Sequence, residues 1–297
     1  MTAMPTGKIT VATLRALKAR GEKTVFVTAY DYPTAVFAER AGVDMILVGD
    51  SAAMTMMGMP NTLGIGMDEM SVFTRSVCRA VSHAFVVGDL PFLSYQQSDG
   101  AAVLNAGRFV QLGCDAVKCE GGTRVARRVR AMVNAGINVM GHLGLTPQSL
   151  GPLSGYRVQG KSRLAADEIL ESARALEDAG AFAILLEAIP AETAGYIREQ
   201  LDVLVYGIGA GPQVDGQLVI SHDILGTFAG EITPRFVRSY ARIGADIEAA
   251  FRAYAEDVRA GRFPGPQECY ALDPTDEAEI REARARLCRG RSAERAP

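Results

Sequence analysis

Eight apolar runs of strand length recur along the chain's 297 residues, and segments of helical period separate them. The runs are TVFVTAYD (24–31), MILVGDS (45–51), AFVVGDLPF (84–92), AVKCEGG (116–122), INVMGHLG (137–144), FAILLEAIP (182–190), DVLVYGIGAG (202–211) and QLVISHDILG (217–226). Each is close to continuously hydrophobic rather than alternating. That pattern belongs to strands covered on both faces, as in parallel sheets. The segments between them, such as PTAVFAERAG and RLAADEILESARALEDAG, close on Ala-Gly or Leu-Gly, the usual helix stop. Ala-Gly followed by a strand occurs at Ala41-Gly42, Ala135-Gly136 and Ala179-Gly180.

This alternation predicts an α/β chain built as a (β/α)8 TIM barrel, with seven helices between eight strands. A doubly wound open sheet is the alternative. A helix over TVATLRALKARGE is expected before the barrel. A helix from about 234 to 260 and a charged one from about 275 to 289 follow it as a C-terminal extension. The barrel core spans about 24–230 and the C-terminal helices about 234–290, with no linker dividing 1–297 into separate domains.

Composition narrows the function classes. Hydrophobic residues make up 48% and charged residues 22%, and the formal net charge is −3 with no basic block. Nothing in that balance favours nucleic acid or a membrane surface as a partner. No apolar stretch approaches the roughly 20 residues of a membrane span. The start, MTAMPTGKIT, lacks the apolar core of a signal peptide. The five cysteines form no CxxC pair, which fits reduced thiols in a cytoplasmic protein. Cys119 reads as a packing residue.

Active sites of such barrels gather at the C-terminal ends of the strands. The runs finish on Asp31, Asp50-Ser51, Asp89, Glu120, His142, Glu187, a glycine cluster at 207–211, and His222-Asp223. One such carboxylate alone reads as a helix N-cap. Asp50, Asp89 and Glu120 come from three consecutive strands, where unpaired carboxylates repel one another and bind protons more tightly. A shared divalent cation removes that conflict, and all-oxygen ligation suits Mg2+ or Mn2+ rather than Zn2+.

Lys118 precedes Glu120 by two and faces the same side of its strand. It fits a clamp for a substrate carboxylate, a Schiff-base lysine, or a charge-balancing partner of Glu120. His142 reads equally as a structural hydrogen-bonding group or as a catalyst. Glu187 closes the apolar run AILLEAIP and suits a general base. The glycines of GIGAG permit close approach to an anion or keep the barrel mouth open.

TAYDY, LVGDS, DLPF, VKCEGG, GHLGLTPQS, GYRVQG, LLEAIP, GIGAG and DGQLVISHDILG occur in this order over roughly residues 8–265. Together they resemble the ketopantoate hydroxymethyltransferase family. The resemblance implies a (β/α)8 barrel of the phosphoenolpyruvate/pyruvate superfamily type, and the first committed step of pantothenate synthesis. It implies Mg2+, 5,10-methylenetetrahydrofolate as one-carbon donor and a branched 2-oxo acid as acceptor. A homo-oligomer, typically a decamer of pentameric rings, is implied as well.

By motif, Asp50 and Asp89 would bind the metal, with Asp89 also at the substrate, and Glu120 would sit at the metal through water. Ser51 and Lys118 would hold the substrate carboxylate. Glu187 would be the base, and His142 would occupy a substrate-site position. The chain departs from the family pattern at Ala52-Ala53, Met59-Pro60, Cys119, Tyr206 and Pro212, and its C-terminal extension is longer. These changes are expected near the acceptor side chain or the folate. They leave open a paralogue acting on another 2-oxo acid. A superfamily carbon–carbon lyase and a non-catalytic acid-binding barrel are the remaining alternatives.

Overall fold

The computed structural model describes residues 7–149, 151, 155–230 and 234–293, with side chains described to 287. The chain divides into two compact units, Met1–Gly244 and Ala245–Pro297. The first unit contains a closed barrel of eight parallel strands in sequence order. The strands are β1 (Thr24–Thr28), β2 (Met45–Val48), β3 (Phe85–Asp89), β4 (Ala116–Glu120), β5 (Val139–Gly144), β6 (Ala183–Glu187), β7 (Leu204–Ile208) and β8 (Gly216–Val219). Closure is visible at Phe26, which lies opposite Met45 on one side and Leu218 on the other.

Residue parity explains the continuous apolar runs. Phe26, Met45, Leu47, Phe85, Val87, Met140, Leu185 and Tyr206 fill the barrel interior. Their neighbours of opposite parity, such as Val27, Ile46, Val86, Val117, Cys119 and Ile184, pack in a separate cluster with residues of the surrounding helices. Both faces of β2 to β7 are therefore desolvated, as in other parallel sheets, while β1 and β8 expose Val25 and Gln217 near their N-terminal ends.

The helices follow the local stop and start signals. α1 (Val11–Ala19) precedes β1, and α2 (Tyr32–Arg40) follows it. α3 (Ala52–Thr55) and α4 (Met67–Ala80) follow β2; α5 (Asp99–Gln111), α6 (Ala126–Asn134), α7 (Arg163–Asp178) and α8 (Ala191–Glu199) follow β3 to β6 in turn. Asp31 caps α2 by accepting from the Thr34 N–H at 2.8 Å. Ser98 and Ser162 cap α5 and α7 in the same way. At the three Ala-Gly repeats the glycine takes φ of +81°, +85° and +95°. Those angles terminate a helix without the Cβ strain another residue would meet.

α1 closes the N-terminal end of the barrel. Its Leu14, fully buried, joins Ile9 and the interior residues in one cluster. Burying a leucine of this kind is worth about 2 kcal/mol of transfer free energy.

Three expectations need correction. No helix joins β7 to β8: residues 209–215 form a loop, because GAGPQVD offers no apolar helical period. The run QLVISHDILG is not one strand. β8 stops at Val219, and Ser221–Leu225 forms the short helix α9, halted by Gly226 at φ +66°. The helix expected from about 234 begins only at Ile243 and runs to Arg259 (α10). Before it, the Tyr240 and Ala241 N–H groups both donate to Ile224 O, so that stretch is tied to the end of α9 instead of to its own preceding turn.

In the second unit, α11 (Pro274–Ala293) carries the ion pairs Arg281–Glu277 and Arg286–Glu282 four residues apart. Tyr254 and Phe263 pack edge to face at 5.4 Å.

Candidate active site

Strand alternation carries the interior face upward to its polar rim. On β3 the inward series Phe85, Val87 ends on Asp89, and on β4 Ala116 is followed by Lys118 and Glu120. On β5 Met140 leads to His142, and on β6 Ala183 and Leu185 lead to Glu187. Register then sets neighbours side by side: Asp89 opposite Lys118, and Glu120 opposite His142. Asp50 and Ser51 lie just beyond β2, in the turn that enters α3.

The groups make one continuous chain of contacts. The Asp50 N–H donates to Asp89 Oδ2 at 3.0 Å. Lys118 Nζ lies 2.8 Å from Asp89 Oδ1 and 3.7 Å from Glu120 Oε1. His142 Nδ1 is 3.3 Å from Glu120 Oε1 and 3.2 Å from Lys118 Nζ. On its other side, His142 Nε2 is 3.1 Å from Glu187 Oε2. Asp50, Asp89, Lys118, Glu120 and His142 are all buried, whereas the Glu187 side chain keeps 17% of its exposure. Ser51 stands at the start of α3 but caps nothing; its hydroxyl pairs with Tyr30 at 2.7 Å.

Burial, and then the Asp89 charge, push Asp50 well above the usual carboxylate range. Burial also raises Asp89, and the Lys118 charge offsets only part of the shift. Burial acts on Glu120 in the same sense, but His142 and Lys118 outweigh it and hold Glu120 low. Burial and Lys118 lower the proton affinity of His142. Its contacts with Glu120 and Glu187 outweigh both and raise it to about 9.

Burial alone would favour the neutral amine of Lys118, yet Asp89, Glu120 and Asp50 together hold it as the ammonium. A Schiff base needs the free amine, so this setting favours ion pairing over covalent chemistry. The closer partner is Asp89, not Glu120.

The donor set fits a hard cation held by two carboxylates. Asp89 Oδ1 and Glu120 Oε1 are buried acceptors with no aligned hydrogen-bond donor among the described residues. Among those residues no three acid, His or Cys side chains form a closed metal cage. Glu120 accounts for part of this, since its carboxylate is engaged by His142 and by the Gln148 N–H, which donates to Oε2 at 2.8 Å. Mg2+ commonly takes only one or two protein carboxylates and keeps water or substrate oxygens in its other positions.

Not every expected group belongs to this cluster. Asp31 is the helix cap described above. His222 lies on α9, packed at 5.4 Å against the Tyr30 ring, and burial lowers its proton affinity. The glycines of GIGAG serve packing: a Cβ on Gly211 would fall 2.3 Å from that of Ala191, and one on Gly209 would meet the Phe236 ring at 2.5 Å. Tyr206 meets the Phe26 ring edge to face at 5.8 Å inside the barrel, below the rim. Cys119 faces the helices, and burial lifts its thiol to about 12, as suits a packing residue. Neither Tyr206 nor Cys119 lines the mouth, contrary to the expectation for family departures.

Sequence reading overlooked Tyr95 and Gln148. Gln148 follows β5 on the 3-10 turn Pro147–Ser149 and donates to Asp50 Oδ2 at 2.9 Å. The turn is possible because Gly144 takes φ +91°, where a Cβ would sit 2.3 Å from Glu187 O. No spacing rule marks either residue, although both lie within or beside the quoted motifs.

Comparison with known proteins supplies the remaining context. Residues 8–266 match the family model described as ketopantoate hydroxymethyltransferase. The 3-methyl-2-oxobutanoate hydroxymethyltransferase of Moorella thermoacetica is 50% identical over 264 residues, covering 89% of this chain and 98% of that protein. The enzyme of the same name from Syntrophobacter fumaroxidans is 47% identical over 266 residues, covering 89% and 94%. Among solved structures, a phosphonopyruvate hydrolase complexed with oxalate and Mg2+ superposes with TM-score 0.59 at 16% identity, covering 95% of this chain and 99% of the other. A 2,3-dimethylmalate lyase of the PEP mutase/isocitrate lyase superfamily gives 0.56 at 20% identity, covering 93% and 99%. At such identities the two structures attest the shared barrel fold.

Proposed function

The chain belongs to the ketopantoate hydroxymethyltransferase family and is a hydroxymethyltransferase, and we propose that it transfers a one-carbon unit from 5,10-methylenetetrahydrofolate to 3-methyl-2-oxobutanoate, giving 2-dehydropantoate. The observation that carries this reading is the contact chain from Asp50 through Asp89, Lys118, Glu120 and His142 to Glu187. It joins a pair of carboxylates suited to a cation to a carboxylate suited to proton transfer.

Asp50 and Asp89 would hold the divalent cation, Mg2+ in this reading, with Glu120 as the neighbouring carboxylate that would act through water. When bound, the cation supplies positive charge to the keto oxygen of the acceptor and makes the neighbouring carbon more acidic. Lys118, held as the ammonium, and the Ser51 hydroxyl orient the substrate carboxylate. Glu187 takes the proton from C3. Its Oε2 lies 3.1 Å from His142 Nε2. Water hydrolyses the methylene bridge of the donor, breaking both of its C–N bonds to give tetrahydrofolate and formaldehyde; the C3 carbon attacks the formaldehyde carbon, and the resulting alkoxide takes the proton back from Glu187. Positioned charge and a proximal base are the two requirements for removing a proton beside a carbonyl.

A cytoplasmic homo-oligomer, a decamer in the form usual for the family, and a place in pantothenate synthesis belong to the same proposal. Their support is family membership alone. A turnover assay with 5,10-methylenetetrahydrofolate and a panel of 2-oxo acids tests the assignment. A preference for 3-methyl-2-oxobutanoate is expected. Preference for another 2-oxo acid would replace it with the paralogue reading, which the changed segment after Ser51 motivates.

A further inference from the structure

Gln148 is 5% exposed, and its side-chain amide and main-chain N–H are all engaged. Its Nε2 donates to Asp50 Oδ2 and to Leu90 O, each at 2.9 Å. Its Oε1 faces the Tyr95 hydroxyl at 2.8 Å and Gln96 Nε2 at 3.4 Å. Its main-chain N–H holds Glu120 Oε2. One residue therefore touches carboxylates delivered by two different strands.

The surroundings permit one orientation of the amide. Turned over, Oε1 would confront two acceptors, Asp50 Oδ2 and Leu90 O, while the NH2 would confront the Gln96 amide nitrogen. Buried acceptor–acceptor contacts of that kind cost the full desolvation of the groups involved. Tyr95 fixes the remaining side. Its hydroxyl accepts from the Glu120 N–H at 2.9 Å, and its single proton faces Gln148 Oε1 at 2.8 Å, the shorter of its two acceptor contacts, with Glu120 O at 3.0 Å.

We infer that Gln148, oriented by Tyr95, is the positioning residue that fixes the Asp50 carboxylate for the cation. By occupying Oδ2, it leaves Oδ1 as the oxygen aimed at the metal. It also supplies a neutral donor next to a carboxylate that burial and Asp89 crowd. This assignment rests on the cation site of the proposed function and adds to it a residue that touches neither substrate nor metal. Partners that orient a metal-binding carboxylate through hydrogen bonds typically change affinity by about 10- to 100-fold when removed.

The test is a titration of the full chain with Mn2+ alone, read by the EPR signal of free Mn2+ and by the line shape of the bound ion, alongside each variant's thermal midpoint. Gln148→Leu is expected to weaken Mn2+ binding by about 10- to 100-fold and to broaden the bound-ion spectrum. Tyr95→Phe leaves Asp50 and Gln148 in place and is expected to weaken binding several-fold. In the Gln148→Leu background it is expected to have no further effect on affinity, since the two act through one contact chain. If Gln148→Leu does not fold, the Tyr95→Phe affinity and line shape carry the test alone. Wild-type affinity and line shape in a folded Gln148→Leu or, where that variant fails to fold, in Tyr95→Phe would overturn the inference while leaving the cation reading intact. A wild-type chain that binds no Mn2+ would overturn the cation reading and the inference together.

Discussion

The two ends of the barrel use carboxylates in opposite ways. At the N-terminal end, Asp44, Asp115 and Asp215 each precede a strand and accept a main-chain N–H from the strand before it: Val25 at 2.8 Å, Val86 at 2.7 Å and Val205 at 2.9 Å. Two of them also meet cations. Asp215 Oδ1 is 3.0 Å from Arg198 and Oδ2 is 3.4 Å from Lys18, while Asp115 is 2.8 Å from Lys8. At the C-terminal end, Asp50, Asp89 and Glu120 crowd one another around a single lysine, and Asp89 and Glu120 retain buried acceptors without an aligned donor. The same residue type is satisfied at the floor and left short at the rim. Conserving strand geometry needs the first arrangement, and binding something external needs the second.

Substitutions at the two ends should therefore separate activity from stability. The largest expected effect is at the rim. Asp50→Asn removes one of the crowded charges and should lower kcat/KM by about 10^3-fold or more, the scale seen when a charge-stabilising group is lost. Its thermal midpoint should equal or exceed that of the parent chain. A variant that loses stability as well as activity would mean that Asp50 is a structural group like those of the floor. The smaller effect is at the floor, where Asp215→Asn leaves Arg198 and Lys18 without their buried partner. Denaturant unfolding should show a loss of about 3 kcal/mol, with kcat of the folded protein unchanged. A substantial fall in kcat there would erase the distinction between the two ends.

Much of this was legible in the residues. The continuous apolar runs gave the parallel barrel, and strand parity predicted that Lys118 and Glu120 would share a face. Asp89, Glu120, His142 and Glu187 could be read because each sits at or near the end of its strand, where the inward side meets the mouth. The fate of each carboxylate was less accessible. Asp31 and Asp50 both follow an apolar run, yet one caps α2 and the other joins the rim; the difference lies in which donors the fold brings near. Tyr95 and Gln148 act through contacts made across the ends of three strands, which no local pattern encodes. QLVISHDILG reads as one run because Ile224 and Leu225 resume its apolar character after Ser221-His222-Asp223, although the period changes there from a strand to a single helical turn.

One measurement tests the rim most directly: exchange of the C3 proton of 3-methyl-2-oxobutanoate into deuterated water, followed by proton NMR without the folate donor. The parent chain with Mg2+ should exchange this proton, EDTA should abolish the exchange, and Glu187→Gln should slow it by about 10^2-fold or more. Exchange that persists in EDTA, or proceeds equally fast in Glu187→Gln, would contradict a rim in which paired carboxylates hold a cation for a neighbouring base.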